Sequence, residues 1–180
     1  AIMQAANSLE TRDEALAESA RVGIDTPELV GSISLRGGRI DDLSLKSYRE
    51  TIEPDSDLVT LLSPVGSPNA YYALYGWAPG GALDFDAVPG ANTDWTVESG
   101  DTLAPGAPVT LRWDNGDGLV FRRTLSIDEN FMFTVTQSVE NQTGADQRLA
   151  PYGLVARHGE PETINFFILH EGVVRMTDDE

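Results

Sequence analysis

The chain has 180 residues, no cysteine and a formal net charge of -17, from 29 acidic and 12 basic side chains. The absence of cysteine excludes disulfides, thiol catalysis and cysteine metal sites. The acidity disfavours binding to nucleic acid or to anionic lipid headgroups. No apolar run approaches the roughly 18 residues of a membrane-spanning helix, so we expect a soluble domain with its own core.

The first 20 residues differ from the rest of the chain because they are rich in Ala and Glu and have no strong apolar stripe. Within them, Thr11-Arg-Asp-Glu14 matches a capping box, which predicts the start of a short helix. We therefore predict a partly helical linker or tether over residues 1–20 and a β-sandwich domain over residues 21–180.

The first strands lie on either side of Gly37-Gly38. Two glycines between apolar runs predict a hairpin, since both loop positions can adopt a positive φ. The flanking strands are predicted at Leu29–Leu35 and Ile40–Leu45. The apolar alternation slips after Ile40, and a β-bulge near Asp41-Asp42 would restore it.

The middle of the chain, residues 53–108, contains seven prolines, which favour long loops between short strands. We predict strands there at Leu58–Leu62, Tyr71–Gly76 and Trp95–Glu98.

The pattern is clearest from Val109 onward, where apolar and polar residues alternate with the period of two that is typical of strands. The predicted strands are Val109–Trp113, Leu119–Ile127, Phe131–Val139, Arg148–Arg157 and Thr163–Leu169. Many short strands without a long helix predict an all-β antiparallel sandwich.

The turn Asp114-Asn-Gly-Asp-Gly118 superficially resembles a calcium-binding loop. A calcium loop of the EF-hand type needs oxygen ligands at positions 1, 3 and 5, but here Gly116 and Gly118 occupy positions 3 and 5. We therefore interpret this segment as a hairpin turn, and we expect no metal site and no cofactor.

Two polar residues, Arg123 and Gln137, lie on otherwise apolar faces of neighbouring predicted strands. If Ile127 pairs with Phe131, Arg123 and Gln137 become diagonal neighbours across the antiparallel ladder. Buried polar groups require partners. The pair therefore marks either a polar spot in a ligand cleft or a local hydrogen bond at the rim of the sheet.

Several aromatic residues are candidates for a groove that binds sugar or peptide, although packing in the core would also explain them. These residues are Tyr71, Tyr72, Tyr75, Trp77, Trp95 and Trp113. Of these, we select Trp95 and Trp113, together with Arg123 and Gln137, as candidate cleft residues.

Catalytic motifs are not recognisable in the sequence. There is no Gly-x-Ser-x-Gly elbow around a serine nucleophile and no glycine-rich phosphate loop. The two histidines, His158 and His170, are twelve positions apart without a third ligand type nearby, which is a poor pattern for zinc. We expect a domain without enzyme activity.

The stretch Asp25-Thr-Pro-Glu-Leu-Val-Gly-Ser-Ile-Ser-Leu-Arg-Gly-Gly-Arg-Ile-Asp-Asp-Leu-Ser-Leu-Lys-Ser-Tyr48 resembles the opening of the large periplasmic domain of YidC-type membrane protein insertases. The run Leu58-Val-Thr-Leu-Leu-Ser-Pro64 resembles the next strand of that family. Tyr71–Gly76, Leu111–Leu125 and Phe131–Asn141 follow in the expected order. The resemblance covers residues 21–180 and is nearest to α-proteobacterial members.

This resemblance implies a β-supersandwich similar to galactose-mutarotase-like domains, at the periplasmic face of the bacterial inner membrane. It implies a parent protein that acts as insertase and chaperone for membrane proteins, alone or with the Sec translocon. The expected partners are the Sec translocon, its accessory complex and nascent membrane proteins. Family domains continue with further strands beyond the equivalent of Glu180, so we expect this chain to hold a truncated domain.

Two other functions remain open from the residues. One is a carbohydrate-binding or mutarotase-like sugar-processing domain that uses His158, Glu160 or His170 with tryptophans in a groove. The other is a structural sandwich at the cell surface.

Overall fold

The structure is a computed structural model that describes residues 11–159. Those residues form one short helix, one 3-10 turn and eleven strands. The elements are α1 (Arg12–Ala17), β1 (Arg21–Asp25), β2 (Leu29–Ser34), β3 (Arg39–Arg49), β4 (Leu58–Leu62), β5 (Tyr71–Gly80), the 3-10 turn (Phe85–Ala87), β6 (Thr96–Ser99), β7 (Thr102–Leu103), β8 (Val109–Asp114), β9 (Leu119–Ile127), β10 (Phe133–Asn141) and β11 (Arg148–Arg157).

The strands form two sheets. The first has the strand order β11-β5-β3-β2-β1-β7, with β4 also paired to β3, and the second has the order β10-β9-β8-β6. All the strand pairs are antiparallel except β1 with β7. The predicted all-β, antiparallel sandwich is therefore confirmed.

The core contains side chains from both sheets, which contact one another in a single buried cluster. Among its members, Ile24 and Ile33 come from the first sheet, whereas Leu111, Phe121 and Leu125 come from the second; all five are at most 1% exposed. Burying aliphatic and aromatic side chains from two facing sheets is the main stabilising contribution in such a sandwich.

The Gly-Gly hairpin and the bulge are confirmed. Gly37 and Gly38 have φ values of +76° and +60°, which residues with a side chain rarely adopt. In the ladder between β2 and β3, Ser32 pairs with Asp42 whereas Ile33 pairs with Ile40. Asp41 is the extra residue, so the bulge restores the inward direction of the apolar side chains.

The predicted register between β9 and β10 is wrong by two residues. Ile127 pairs with Phe133 and not with Phe131, because the connecting loop extends from Asp128 to Met132. The Asp128 carboxylate accepts hydrogen bonds from the backbone N–H groups of Asn130 at 2.8 Å and Met132 at 2.9 Å. Phe131, within the same loop, has a φ of +66°. These hydrogen bonds stabilise a longer loop, and β10 starts only after it.

The predicted short helix is confirmed as α1. Thr11 is its N-cap, and the Thr11 hydroxyl and the Glu14 carboxylate make the reciprocal hydrogen bonds of a capping box. Ala15 is buried, and Arg12 forms an ion pair with Asp42 on β3. The helix therefore packs against the first sheet, while the division of the chain at residue 20 stays a prediction.

Most predicted strands coincide with observed ones, and three have the same bounds: Leu58–Leu62, Leu119–Ile127 and Arg148–Arg157. The predicted strand Thr163–Leu169 lies outside the described residues. Within residues 11–159, no helix has the length and apolar character that crossing a membrane requires.

Candidate functional site

Arg123 lies on β9 with its side chain directed into the sandwich, and it is 0% exposed. Its Nη1 donates to the carbonyl oxygens of Gly37 and Gly38, both at 3.0 Å. Its Nη2 donates to the carbonyl oxygen of Tyr75 on β5 at 2.6 Å. A single guanidinium from the second sheet therefore binds two separate segments of the first sheet.

The positive charge of Arg123 is balanced by carbonyl dipoles and aromatic rings. Its guanidinium carbon lies 4.5 Å from the ring centroid of Trp95 and 5.7 Å from that of Tyr75, which are cation–π distances. Burial lowers the pKa of Arg123 to about 10, so the group remains charged at neutral pH. Within residues 11–159, the Nε of Arg123 has no hydrogen-bond partner.

Gln137 on β10 lies directly opposite Arg123 in the ladder, which corrects the predicted diagonal arrangement. Arg123 Nη2 donates to the amide oxygen of Gln137 at 3.4 Å, and Gln137 Nε2 donates to the carbonyl oxygen of Tyr152 at 3.4 Å. Both contacts are long. Because a two-residue shift keeps side chains on the same face, the pair still meets despite the wrong register.

Of the two selected tryptophans, Trp95 contacts the guanidinium of Arg123, whereas Trp113 packs against Phe121. Trp113 on β8 pairs with Phe121, two residues before Arg123 on β9. The ring of Phe121 lies 5.6 Å from that of Trp113 and 5.8 Å from that of Trp77. Phe121 thus packs against both indoles from the core side and holds them in place.

Trp77 and Trp113 line a surface cleft of about 450 Å³, here called the aromatic cleft. Its volume lies within the range of small-molecule sites. Other side chains that line the cleft are those of Phe85, Asp86, Asn92, Thr93 and Tyr152.

Arg123 supports a wall of the aromatic cleft through the Gly37-Gly38 hairpin. The Gly37 N–H donates to the Thr93 carbonyl at 2.7 Å, and the Arg39 side chain donates to the Ala91 carbonyl at 2.6 Å. The hairpin carbonyls in turn accept from Arg123. We interpret Arg123 as a residue that positions the cleft, because its complete burial prevents contact with a ligand.

Sequence reasoning did not select Phe85 and Asn92, which line the aromatic cleft, as site residues. Phe85 and Asn92 are exposed in the loop between β5 and β6, a segment rich in proline and glycine. Long loops between rigid strands frequently hold binding residues, and this signal was present in the sequence. Trp77 is one of the aromatic groove candidates of the sequence, although it is not among the four candidate cleft residues.

The other aromatic candidates lie elsewhere. Tyr71 lines a different groove beside Arg157. Tyr72 contacts His158, with 3.4 Å between the Tyr72 hydroxyl and His158 Nε2. Glu160 and His170 lie outside the described residues.

The hairpin interpretation of residues 114–118 agrees with the structure. Asp114 and Asn115 accept hydrogen bonds from backbone N–H groups in and next to the turn. These side-chain oxygens therefore stabilise the turn itself. Among the residues that the structure describes, no group of three or more His, Cys, Asp or Glu side chains is placed to hold a metal ion.

Comparison with known proteins identifies the family. The family model described as YidC periplasmic domain matches residues 21–180. A protein named membrane protein insertase YidC from Dinoroseobacter shibae is 73% identical over 158 residues, which cover 88% of this chain and 26% of the relative. Proteins of the same name from Cereibacter sphaeroides and Roseobacter denitrificans are each 62% identical, over 92% and 95% of this chain and 27% and 28% of the relatives. The chain thus spans about a quarter of the length of these curated relatives, and it belongs to the YidC periplasmic domain family.

Proposed function

We propose that this chain is a non-catalytic periplasmic domain of an inner-membrane insertase and chaperone. In this proposal the parent protein aids the insertion and folding of membrane proteins, alone or with the Sec translocon. The observation that carries the proposal is the match of residues 21–180 to the family model, together with 73% identity to a protein named as such an insertase.

Charge argues against direct binding to the membrane surface, since a chain with a net charge of -17 is repelled by anionic lipid headgroups. Contacts with partners are therefore expected to be protein contacts. The Sec accessory complex and nascent membrane proteins are the proposed partners.

The outer strands of the second sheet are suitable places for such contacts. Within the described residues, β10 pairs only with β9 and β6 pairs only with β8. A strand with an unpaired edge can accept a strand from another polypeptide. Ser138 on β10 and Thr96 on β6 are both exposed, which makes them accessible positions for a probe.

The test is photo-crosslinking in the full-length protein, with a photoreactive residue at Ser138, at Thr96 or, as a control, at Asp117 in the turn between β8 and β9. We expect Sec components or nascent membrane proteins to be crosslinked from an edge position and not from the turn. Equal crosslinking from all three positions, or none from either edge, would contradict the proposal.

The sugar-processing alternative makes a different prediction. If the chain catalysed anomer interconversion, purified protein would accelerate mutarotation of an aldose, and His158→Ala would abolish this activity. We expect no acceleration above buffer, because His158 lies against Tyr72 and does not line the aromatic cleft.

A further inference from the structure

The loop that joins β3 to β4, residues 50–57, is held by hydrogen bonds of its own and is here called the acidic loop. The Glu50 N–H donates to the Asp57 carbonyl oxygen at 2.9 Å and closes it. The Arg49 side chain donates to the Ser56 carbonyl oxygen, and the Thr51 N–H donates to the Ser56 hydroxyl at 3.1 Å. A loop that is already ordered binds a partner at a lower cost in conformational entropy.

This ordered loop presents an apolar side chain that nothing in the domain covers. Ile52 is 99% exposed, and its neighbours throughout residues 46–55 are exposed as well. Because none of the Ile52 side chain is buried in the domain, a partner that covers it gains the full transfer free energy of an isoleucine. The acidic loop therefore offers one strong apolar contact.

Negative charge surrounds Ile52. Four carboxylates lie within five residues of it along the chain, namely those of Glu50, Glu53, Asp55 and Asp57. None of them forms an ion pair with another residue of the described range 11–159. The adjacent cation, Arg49, donates to a backbone carbonyl oxygen instead. The loop therefore combines an apolar contact with a negative field that attracts cations.

A groove of about 520 Å³ between α1 and the loop, here called the acidic groove, extends this negative surface. The carboxylates of Asp13, Glu50 and Asp57 line it. Arg12 lines it too, but the Arg12 guanidinium forms an ion pair with Asp42. In the part of the chain that the structure describes, carboxylates are not grouped closely enough to hold a metal ion. The chemical match is therefore an extended cation such as a lysine or arginine side chain.

These charges discriminate between the possible occupants. Insertion of Ile52 into a bilayer would carry the neighbouring carboxylates into headgroups that, where anionic, repel them. Nucleic acid would be repelled for the same reason. A polyamine matches the carboxylates but leaves Ile52 in water. A basic polypeptide segment that also contains a large apolar residue satisfies both features.

We propose that the acidic loop and the acidic groove together dock a basic segment of a partner protein. A lysine or arginine of the partner enters the groove, and an apolar residue of the same segment covers Ile52. This surface belongs to the first sheet, whereas the edge strands β6 and β10 belong to the second. The proposal does not depend on the identity of the parent protein, so the two proposals can fail separately.

The experiment titrates the isotope-labelled 180-residue chain with the peptide Lys-Lys-Leu-Lys-Phe-Lys-Leu-Lys-Lys at about 50 mM NaCl, where screening is weak. Amide signals are followed by NMR. Spermidine and a peptide with serine in place of Leu and Phe are titrated in parallel. We expect the apolar basic peptide to shift the signals of residues 50–57 and Asp13, and the serine peptide to bind at least about fivefold more weakly.

The apolar contact is tested by Ile52→Ser. The substitution is expected to leave the fold intact, because the side chain is 99% exposed, and to weaken binding of the apolar basic peptide about fivefold. Met132→Ser is the matched control, since Met132 is also exposed, at 67%, and lies in the loop between β9 and β10. We expect this control to bind like the unaltered chain.

The charge contact is tested by the double substitution Glu50→Gln and Asp57→Asn, which we expect to weaken binding about fivefold. Its matched control is Asp101→Asn with Asp117→Asn. Both control residues are exposed and neither lines the groove. The two double variants carry the same net charge, so a difference between them reports the position of the charges and not their number.

Equal weakening by the two double variants would overturn the proposal, because it would reduce binding to general attraction by a chain of net charge -17. Equal binding of the serine peptide or spermidine, or binding that Ile52→Ser leaves unchanged, would also overturn it. So would the absence of shifts in residues 50–57 at about 1 mM peptide. Cosedimentation with phosphatidylethanolamine–phosphatidylglycerol vesicles that Ile52→Ser abolishes would assign the loop to a membrane surface instead.

Discussion

Arg123 occupies the space that a side chain at position 38 would need: a Cβ added to Gly38 would overlap Arg123 Nη1. The same nitrogen donates to the carbonyl oxygens of Gly37 and Gly38. The hairpin therefore approaches the buried guanidinium closely because it has no side chain at this point.

We expect Gly38→Ala to destabilise the domain more than Gly116→Ala. Both glycines have a positive φ, +60° and +79°, so both substitutions cost about 1–2 kcal/mol in backbone strain. At Gly116 a Cβ meets nothing within 4 Å, whereas at Gly38 the clash with Arg123 adds about 1–3 kcal/mol. Urea unfolding followed by tryptophan fluorescence measures both values, and equal losses would contradict the close packing of hairpin and arginine.

Arg123→Lys is expected to lower the free energy of unfolding by about 2–4 kcal/mol, because an ammonium cannot reproduce the forked hydrogen bonds and remains buried. The matched control is Arg122→Lys, one residue earlier on the same strand. Arg122 forms ion pairs with Glu98 and Glu140 on the partly exposed outer face, and such solvent-screened pairs contribute little to stability. If both variants unfold at the same urea concentration, the structural role of Arg123 is refuted.

Gly31→Ala is expected to cost about 2–3 kcal/mol, whereas Gly23→Ala is expected to be near neutral. Both glycines lie within strands of the first sheet. A Cβ at Gly31 would overlap the backbone carbonyl of Asp42 in the bulge, and a Cβ at Gly23 would meet Thr102 Cγ2 at an ordinary 3.6 Å. Thermal unfolding followed by circular dichroism compares the two, and a Gly31→Ala variant as stable as Gly23→Ala would show that the bulge is more adaptable than the structure implies.

The capping box of α1 gives a prediction about pH. Hydrogen bonds from the backbone N–H and then the hydroxyl of Thr11 lower the pKa of Glu14 below its ordinary value. Because the folded pKa is depressed, this stabilising contribution is present above the ordinary pKa and is lost as pH falls through the folded value.

Thr11→Val replaces the hydroxyl with a methyl group and keeps the backbone N–H, so we expect the pKa of Glu14 to rise part of the way, while Thr11→Ser leaves it low. Carboxyl chemical shifts measured by NMR across an acid titration give these values directly. A wild-type pKa at or above the ordinary value of 4.5 would argue against the capping box.

Local sequence was sufficient to predict much of the fold. Apolar residues recur with a period of two at positions 119, 121, 125 and 127, which favours a strand, and the strand Leu119–Ile127 was predicted with its observed bounds. The paired glycines and the slip after Ile40 likewise predicted the hairpin and the bulge, because both depend on backbone preferences within a few residues.

The register of β10 was not predictable in the same way. It depends on the length of the loop after Ile127, where the Asp128 carboxylate binds two backbone N–H groups and delays the next strand by two residues. An apolar alternation fits either register, since a shift of two leaves every side chain on the same face.

The sequence by itself therefore determined most of the strands and turns and the contact between Arg123 and Gln137. These follow from the alternation of side chains between the two faces of each strand. Only the tertiary structure decided that Trp95 stacks on Arg123 while Trp113 joins Trp77 in the aromatic cleft. The physical reason is that the cleft combines segments that are distant along the chain, and their approach depends on how two sheets pack and on which carbonyl groups one buried guanidinium can reach.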